Sequence, residues 1–216
     1  MGEHLTSAFG KWRASPLKAT LVFTAFLVLF IGGSYLVRQY GRFPENRLLN
    51  FIFGFALFVW QAYLTAGLYT VLGRLSDRSY TDLFRPRIGA VIGMAFLDFL
   101  RVIVFTVAFA PYLVLSPDNG WLRFLLLLGG IVLIVWYSVR FALAGPRVAL
   151  HDVSIFTALG DSFRATGGRF FAGLWRLFAY FWIGASGILA GGVGLLASIP
   201  IAVMAYIQWS EDWTRK

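Results

Sequence analysis

The chain has 216 residues, of which 59% are hydrophobic, 18% aromatic and only 13% charged. A soluble domain carries about 25% charged residues, so a mean hydropathy of +0.73 makes lipid the solvent for much of this one. The net charge of +9 would suit nucleic acid, but the basic residues sit in short loops between apolar runs with no recognition motif, so no nucleic-acid partner is expected.

The fold class expected is all-α: a single polytopic membrane domain over 1–216, with six transmembrane helices and a short cytoplasmic interfacial helix. A bilayer core about 30 Å thick takes about 20 helical residues. The first span covers about 17–37, with Pro16 suited to its first turn. Gly32-Gly33-Ser34 after this apolar stretch imitates a signal-peptide end, and the segment is expected to be retained as a span. The second span covers 48–73. The loop Arg74–Arg87 is basic, with Tyr80, Leu83 and Phe84 available to a membrane interface. The third span, 88–115, is apolar except for Asp98 and Arg101. Ser116-Pro117-Asp118-Asn119-Gly120 reads as a turn into the fourth span, about 121–140, whose Trp121–Val139 stretch holds only Arg123, near its start. Residues 177–210 lack charge for longer than one span needs. The clustered glycines of Ala190-Gly191-Gly192-Val193-Gly194 divide them, giving spans at about 170–190 and 193–209.

Between spans four and five lies the most polar stretch, with Arg140, Arg147, Arg164, Arg169, Arg176, Asp152, Asp161 and His151. Ile155, Leu159 and Phe163 recur every four residues, with Phe156 beside them, while Ser154, Thr157, Asp161 and Arg164 face away. Asp152 or Ser154 caps the start and Gly167-Gly168 ends the helix. This predicts a helix over about 153–166, too short to span. It either lies in the lipid interface or packs as a lid on the inner ends of the spans.

Charge orients the chain. With the N-terminus in the cytoplasm, the inner segments carry 14 Lys and Arg and the outer segments (Arg38, Arg42, Arg47, Arg123) carry 4. That is a strong positive-inside pattern, which places both termini in the cytoplasm of a bacterial inner membrane. Arg74, Arg78, Arg85, Arg87, Arg140, Arg147, Arg164, Arg169 and Arg176 form the expected cytoplasmic basic face. Anionic headgroups attract such segments by about 1 kcal/mol per basic residue, so membrane lipids are the expected partners, with a protein partner or a second copy as alternatives. Trp12, Trp121, Trp175, Trp209 and Trp213 fall near predicted interfaces.

The run R140-F-A-L-A-G-P146-R-V-A-L150, then T157-A-L-G-D-S-F-R-A-T-G-G-R169-F, then an apolar helix, resembles the six-helix membrane domain attached to some bacterial glycerophosphodiester phosphodiesterases and related bacterial membrane proteins. That pattern has an aromatic-containing segment ending in proline, then Ala-Leu-x-x-Ser, then a glycine and an aromatic entering helix five. Ser162 falls one residue beyond that spacing. The resemblance implies an α-helical membrane domain. It does not imply phosphodiesterase activity, which belongs to a separate barrel in that family.

No catalytic constellation is visible. Gly184-Ala185-Ser186-Gly187 looks like a rhomboid-protease nucleophile motif, but a serine needs a base. The two histidines, His4 and His151, lie outside the spans and precede it. Gly187 with Gly191, and Gly89 with Gly93, read instead as small-residue faces for helix packing. Without cysteine or a carboxylate cluster at ligand spacing, no metal or other cofactor is expected. The remaining chemistry is Asp98 with Arg101, three apart on one helix face. An ion pair within a span is a functional-site hypothesis by default; the alternatives are a self-neutralising structural pair, a transport or headgroup role, and a partner contact. The expected function is a non-enzymatic accessory, scaffold or assembly protein with a lipid- or partner-binding cytoplasmic face. The alternative is a small transporter or lipid-handling protein using the Asp98–Arg101 pair.

Overall fold

The computed structural model of the protein describes residues 2–40, 46–115, 120–151, 153–190 and 194–214. Arg42, the 116–119 turn, Asp152, residues 191–193 (with Gly191), Arg215 and Lys216 lie outside the described residues, as does the side chain of Arg38. Within them the chain is helical and contains no strand: α1 (Gly2–Ala14), α2 (Pro16–Tyr40), α3 (Arg47–Gly73), α4 (Ile88–Leu115), α5 (Gly120–Phe141), α6 (Ala144–Leu150), α7 (Ile155–Gly167), α8 (Phe170–Ser186) and α9 (Leu195–Thr214), with 3-10 turns at Tyr80–Phe84 and Gly187–Ala190.

Four segments are long and apolar enough to cross a membrane: Pro16–Leu36, Arg47–Gly73, Ile88–Val114 and Gly120–Leu150. This defines an α-helical membrane protein. α8 has 17 residues, the short end of the spanning range, and α9 carries Gln208, Glu211 and Asp212 in its last turns. Both stay below the standard the other four meet. α4 continues through Pro111 and α9 through Pro200.

The packing alternates end for end. At the start of α2, Lys18 Nζ donates to Leu75 O, just past α3, at 2.6 Å. His4 of α1 lies 3.3 Å from Asp212 near the end of α9. Arg169, at the start of α8, lies 5.9 Å from the Trp213 ring. The 74–87 loop, α1, α6 and α7 thus gather at one end of the bundle, hereafter the basic end. One buried cluster (Val22, Phe23, Leu72, Met204, Trp209) joins α2, α3 and α9. A second (Ala66, Met94, Leu97, Val148, Ala158) joins α3, α4, α6 and α7.

Two elements were not expected. α1 packs along the end of α9, with Ala8 fully buried and Leu5 and Trp12 against the same cluster. α6 is a buried plug between α3, α4, α7 and α9. Pro146 is its third residue, in the first turn, where a missing N–H costs nothing. The break before α6 would strand backbone groups in a dry interior, where each must be satisfied. Ser162 Oγ donates to Arg140 O at 2.7 Å and accepts from Leu143 N at 3.2 Å. Thr166 Oγ1 donates to Arg140 O at 3.4 Å, and Tyr206 donates its hydroxyl proton to Ala142 O.

These bonds correct the expected face of α7. The helix starts and stops as read: Ser154 accepts from Thr157 N, and Gly168 closes the end. Its fully buried stripe, however, is Ala158, Ser162 and Thr166. Ile155 and Leu159 pack partly beneath it, whereas Phe156 is 71% exposed. Asp161 does not face away, because it pairs with Arg147 at 2.8 Å. The need to satisfy the α5–α6 break, more than hydrophobicity, sets the helix's rotation.

Candidate functional site

Asp98 and Arg101 share a face of α4, with Oδ1 and Nη1 2.5 Å apart. Arg101 is 13 residues into a 28-residue helix, about 20 Å from its start at 1.5 Å per residue, so the pair sits near mid-helix. The Asp98 side chain is 24% exposed and that of Arg101 is 49% exposed. Such exposure halfway along an apolar helix requires a cavity or a polar neighbour.

A cavity is present. About 210 Å³ of space opens between the α4–α5 pair and the α8–α9 pair, lined by Leu97, Arg101 and Phe105 of α4, Tyr137 and Ser138 of α5, Leu177 of α8 and Tyr206 of α9. Tyr137 donates to Leu97 O at 3.5 Å, and the Tyr69 ring stands 6.3 Å from that of Tyr206. The hydroxyls of Tyr137 and Tyr206, the latter bonded to Ala142 O, are both spent on backbone carbonyls. Arg101 has five N–H donors in a fixed fork, of which Asp98 takes one. The remainder suit the oxygens of a carboxylate or phosphate. The carboxylate partner lowers the cost of holding the guanidinium in a dry place.

The nine arginines expected to form a basic face divide into two groups. Arg74 Nη2 donates to Leu150 O at 3.3 Å and Arg87 Nη2 to Ala149 O at 3.2 Å, so the 74–87 loop caps the carbonyl end of α6. Arg140 donates to Phe163 O at 3.4 Å, its guanidinium 4.7 Å from that ring. Arg147 pairs with Asp161, and Arg78 reaches Asp82 at 4.0 Å. Arg176 lies 4.9 Å over Trp213, which together with Trp209 is buried in the bundle; neither tryptophan is an interfacial ring. Arg85, Arg164 and Arg169 are exposed, as are Arg74 and Arg87 despite their bonds to α6. Three of the nine, Arg74, Arg87 and Arg140, thus donate to carbonyls in the last turns of α6 and α7, where a guanidinium satisfies acceptors that lipid cannot.

Of the packing glycines, Gly93 is buried where an added Cβ would strike Val148 of α6, and one on Gly187 would strike the backbone of Gly194 and Leu195; nothing lies within 4 Å of one on Gly89. Gly89 thus lies outside the packing face assigned to it. Ser186 donates to Ile183 O at 2.7 Å, at the end of α8 remote from His4 and His151. His151 lies 3.8 Å from Glu211. Among the described residues no cluster of His, Cys, Asp or Glu is arranged to hold a metal.

Sequence reasoning missed Tyr137, Ser138 and Tyr206 as cavity residues and Ser162 as the residue that closes the break. Polar side chains inside apolar runs were the available signal. Compared with protein-family models, curated proteins and solved structures, the chain matches none.

Proposed function

We propose that this is a six-span protein of the bacterial inner membrane, with both termini cytoplasmic, that binds an anionic amphiphile at Arg101 and handles lipid without chemical conversion. The observation that carries this reading is the half-exposed Arg101 side chain at mid-helix, lining a cavity of about 210 Å³. A purely structural ion pair would have its remaining donors packed against acceptors; among the described residues Asp98 is the one acceptor that Arg101 bonds. The end-for-end alternation of α8 and α9 with the other long helices supports six spans, and the gathering of basic loops at one end supports the orientation.

The test is photo-crosslinking of the purified protein with a photoreactive anionic lipid and its uncharged analogue. The anionic probe is expected to label the α4–α5 cleft in preference to the neutral one. A hydrogen bond to a charged group contributes about 1.5–3 kcal/mol, so the charge-neutral pair D98N/R101Q should lower cleft labelling about tenfold or more. D98N alone, which frees the arginine charge, should raise it. Equal labelling by both probes, or labelling indifferent to Arg101, refutes the assignment.

A second reading, an accessory scaffold acting through its basic end, is favoured by the exposed Phe84, Phe156 and Phe163 beside exposed Arg85 and Arg164. Replacing Arg85 and Arg164 by glutamate should release a partner or abolish vesicle affinity if that surface works, while leaving cleft labelling intact.

A further inference from the structure

The cavity at Arg101 does not end at Arg101. Leu177 and Tyr206, which close its α8–α9 side, are also the first residues of a larger open groove of about 570 Å³. That groove runs between α8 and α9 from Leu177 and Tyr206 to Ile188 and Leu195. Its α8 wall is Leu177, Phe181, Ala185 and Ile188, a spacing that keeps to one helix face. Every exposed atom of its walls is apolar. From Leu177 to Ile188 the helix rises about 16 Å, roughly half the thickness of a hydrocarbon core. The volume is that of an ordinary ligand site. A polar pocket holding one cation thus lies against a long apolar trough, with Leu177 and Tyr206 as their common wall.

We propose that the ligand is a long-chain amphiphile with one anionic head, carboxylate or phosphate: the head meets Arg101 beside Ser138, and the acyl chain lies in the α8–α9 groove. This rests on the lipid-handling reading and specifies its substrate class. Charge complementarity selects the head, because the available guanidinium donors pair with anionic oxygen. Adjacency across the shared wall of Leu177 and Tyr206 selects the tail, because a chain passing that wall from the polar pocket meets an apolar path of sufficient length. Tyr206 holds the junction in place, since its hydroxyl is bonded to Ala142 O at the α5–α6 break. A head group without a chain would leave the groove unused, and a neutral lipid would leave Arg101 unused.

Competition against the photoreactive anionic lipid tests this with two probes, palmitate and octanoate, which share a head and differ in chain length. Palmitate is expected to compete at least tenfold better than octanoate. Ala185→Phe, which fills the groove, should weaken palmitate about tenfold and leave octanoate unchanged; Ile188→Trp is the second groove variant should the first fail to fold. D98N/R101Q should weaken both probes. If the groove variants leave palmitate unaffected while D98N/R101Q weakens both, the groove assignment is wrong and the Arg101 reading stands. If D98N/R101Q changes neither probe, the Arg101 reading itself fails. If cysteine cross-linking across the groove yields a dimer that excludes palmitate, a second copy is the occupant and the proposal is overturned.

Discussion

Ser162 shows how one small side chain decides a local fold. Its hydroxyl spans the break between α5 and α6, donating to Arg140 O and accepting from Leu143 N, and it is fully buried. Ser162→Ala leaves both backbone groups without that partner in a dry site. The expected loss is about 1–3 kcal/mol, read as a lower thermal midpoint in detergent. A midpoint equal to wild type would show that water replaces the hydroxyl. Arg147 and Asp161 make a similar point: two residues assigned to a solvated face are spent on each other at 2.8 Å. Sequence identifies an arginine as cationic but not which carbonyl, ring or carboxylate it meets. That is why only five of the nine arginines expected on a basic face are exposed.

At the scale of elements, two contacts make separate predictions. The α4–α6 approach depends on Gly93, where a Cβ meets the buried, β-branched Val148, whereas Gly89 one turn earlier faces open space. Gly93→Val should cost about 1–3 kcal/mol by overpacking, while Gly89→Val should stay within about 0.5 kcal/mol; equal effects in thermal unfolding would refute the assigned face. The docking of α1 on α9 depends on pH through His4. Burial holds the His4 pKa below its ordinary 6.5, and Arg176 adds to the depression, while Asp212 and Glu3 oppose it. Lys11, Gln208 and Glu211 complete the polar surroundings. The docked helix therefore favours the neutral imidazole. Its contribution is present above the undocked value near 6.5 and is lost as pH falls through it. Protection of the α1 amides, taken relative to the intrinsic exchange rate at each pH, should fall between pH 7.5 and 5.5, and His4→Gln should flatten that dependence. Protection that rises on acidification would contradict it. Leu5, Ala8 and Trp12 lie on one face of α1, a signal that was legible but is weak in a helix of 13 residues.

At the scale of the molecule, the absence of cysteine makes topology directly testable, because every introduced thiol is unique. Arg85→Cys and Arg164→Cys should react with a membrane-impermeant maleimide only after permeabilisation, and Arg123→Cys should react in intact cells. The reverse pattern, or all three on one side, would overturn the six-span orientation. The apolar runs and the charge alternation were readable from the chain alone, since transfer to lipid depends on composition and length and hardly on neighbours. The Asp98–Arg101 pair was equally readable, because three residues of helix always bring two side chains to one face. The cavity beyond the pair was not. It exists because the α4–α5 and α8–α9 pairs stand apart there, bringing Tyr137, Ser138, Leu177 and Tyr206 to Arg101 from positions 36 to 105 residues away in the chain.

The sequence by itself therefore determined the solvent, the helical class, the long apolar segments and the location of the intramembrane charge, all of which follow from local composition and periodicity. Only the tertiary structure decided that α6 is a buried plug, that α7 turns its serine and threonine inward, that Arg74, Arg87 and Arg140 bond carbonyls of α6 and α7, and that Arg101 lines a cavity beside an apolar groove. Each of these depends on which backbone groups a helix break strands and on which distant side chains reach them, and hydrogen bonds across the fold settle both.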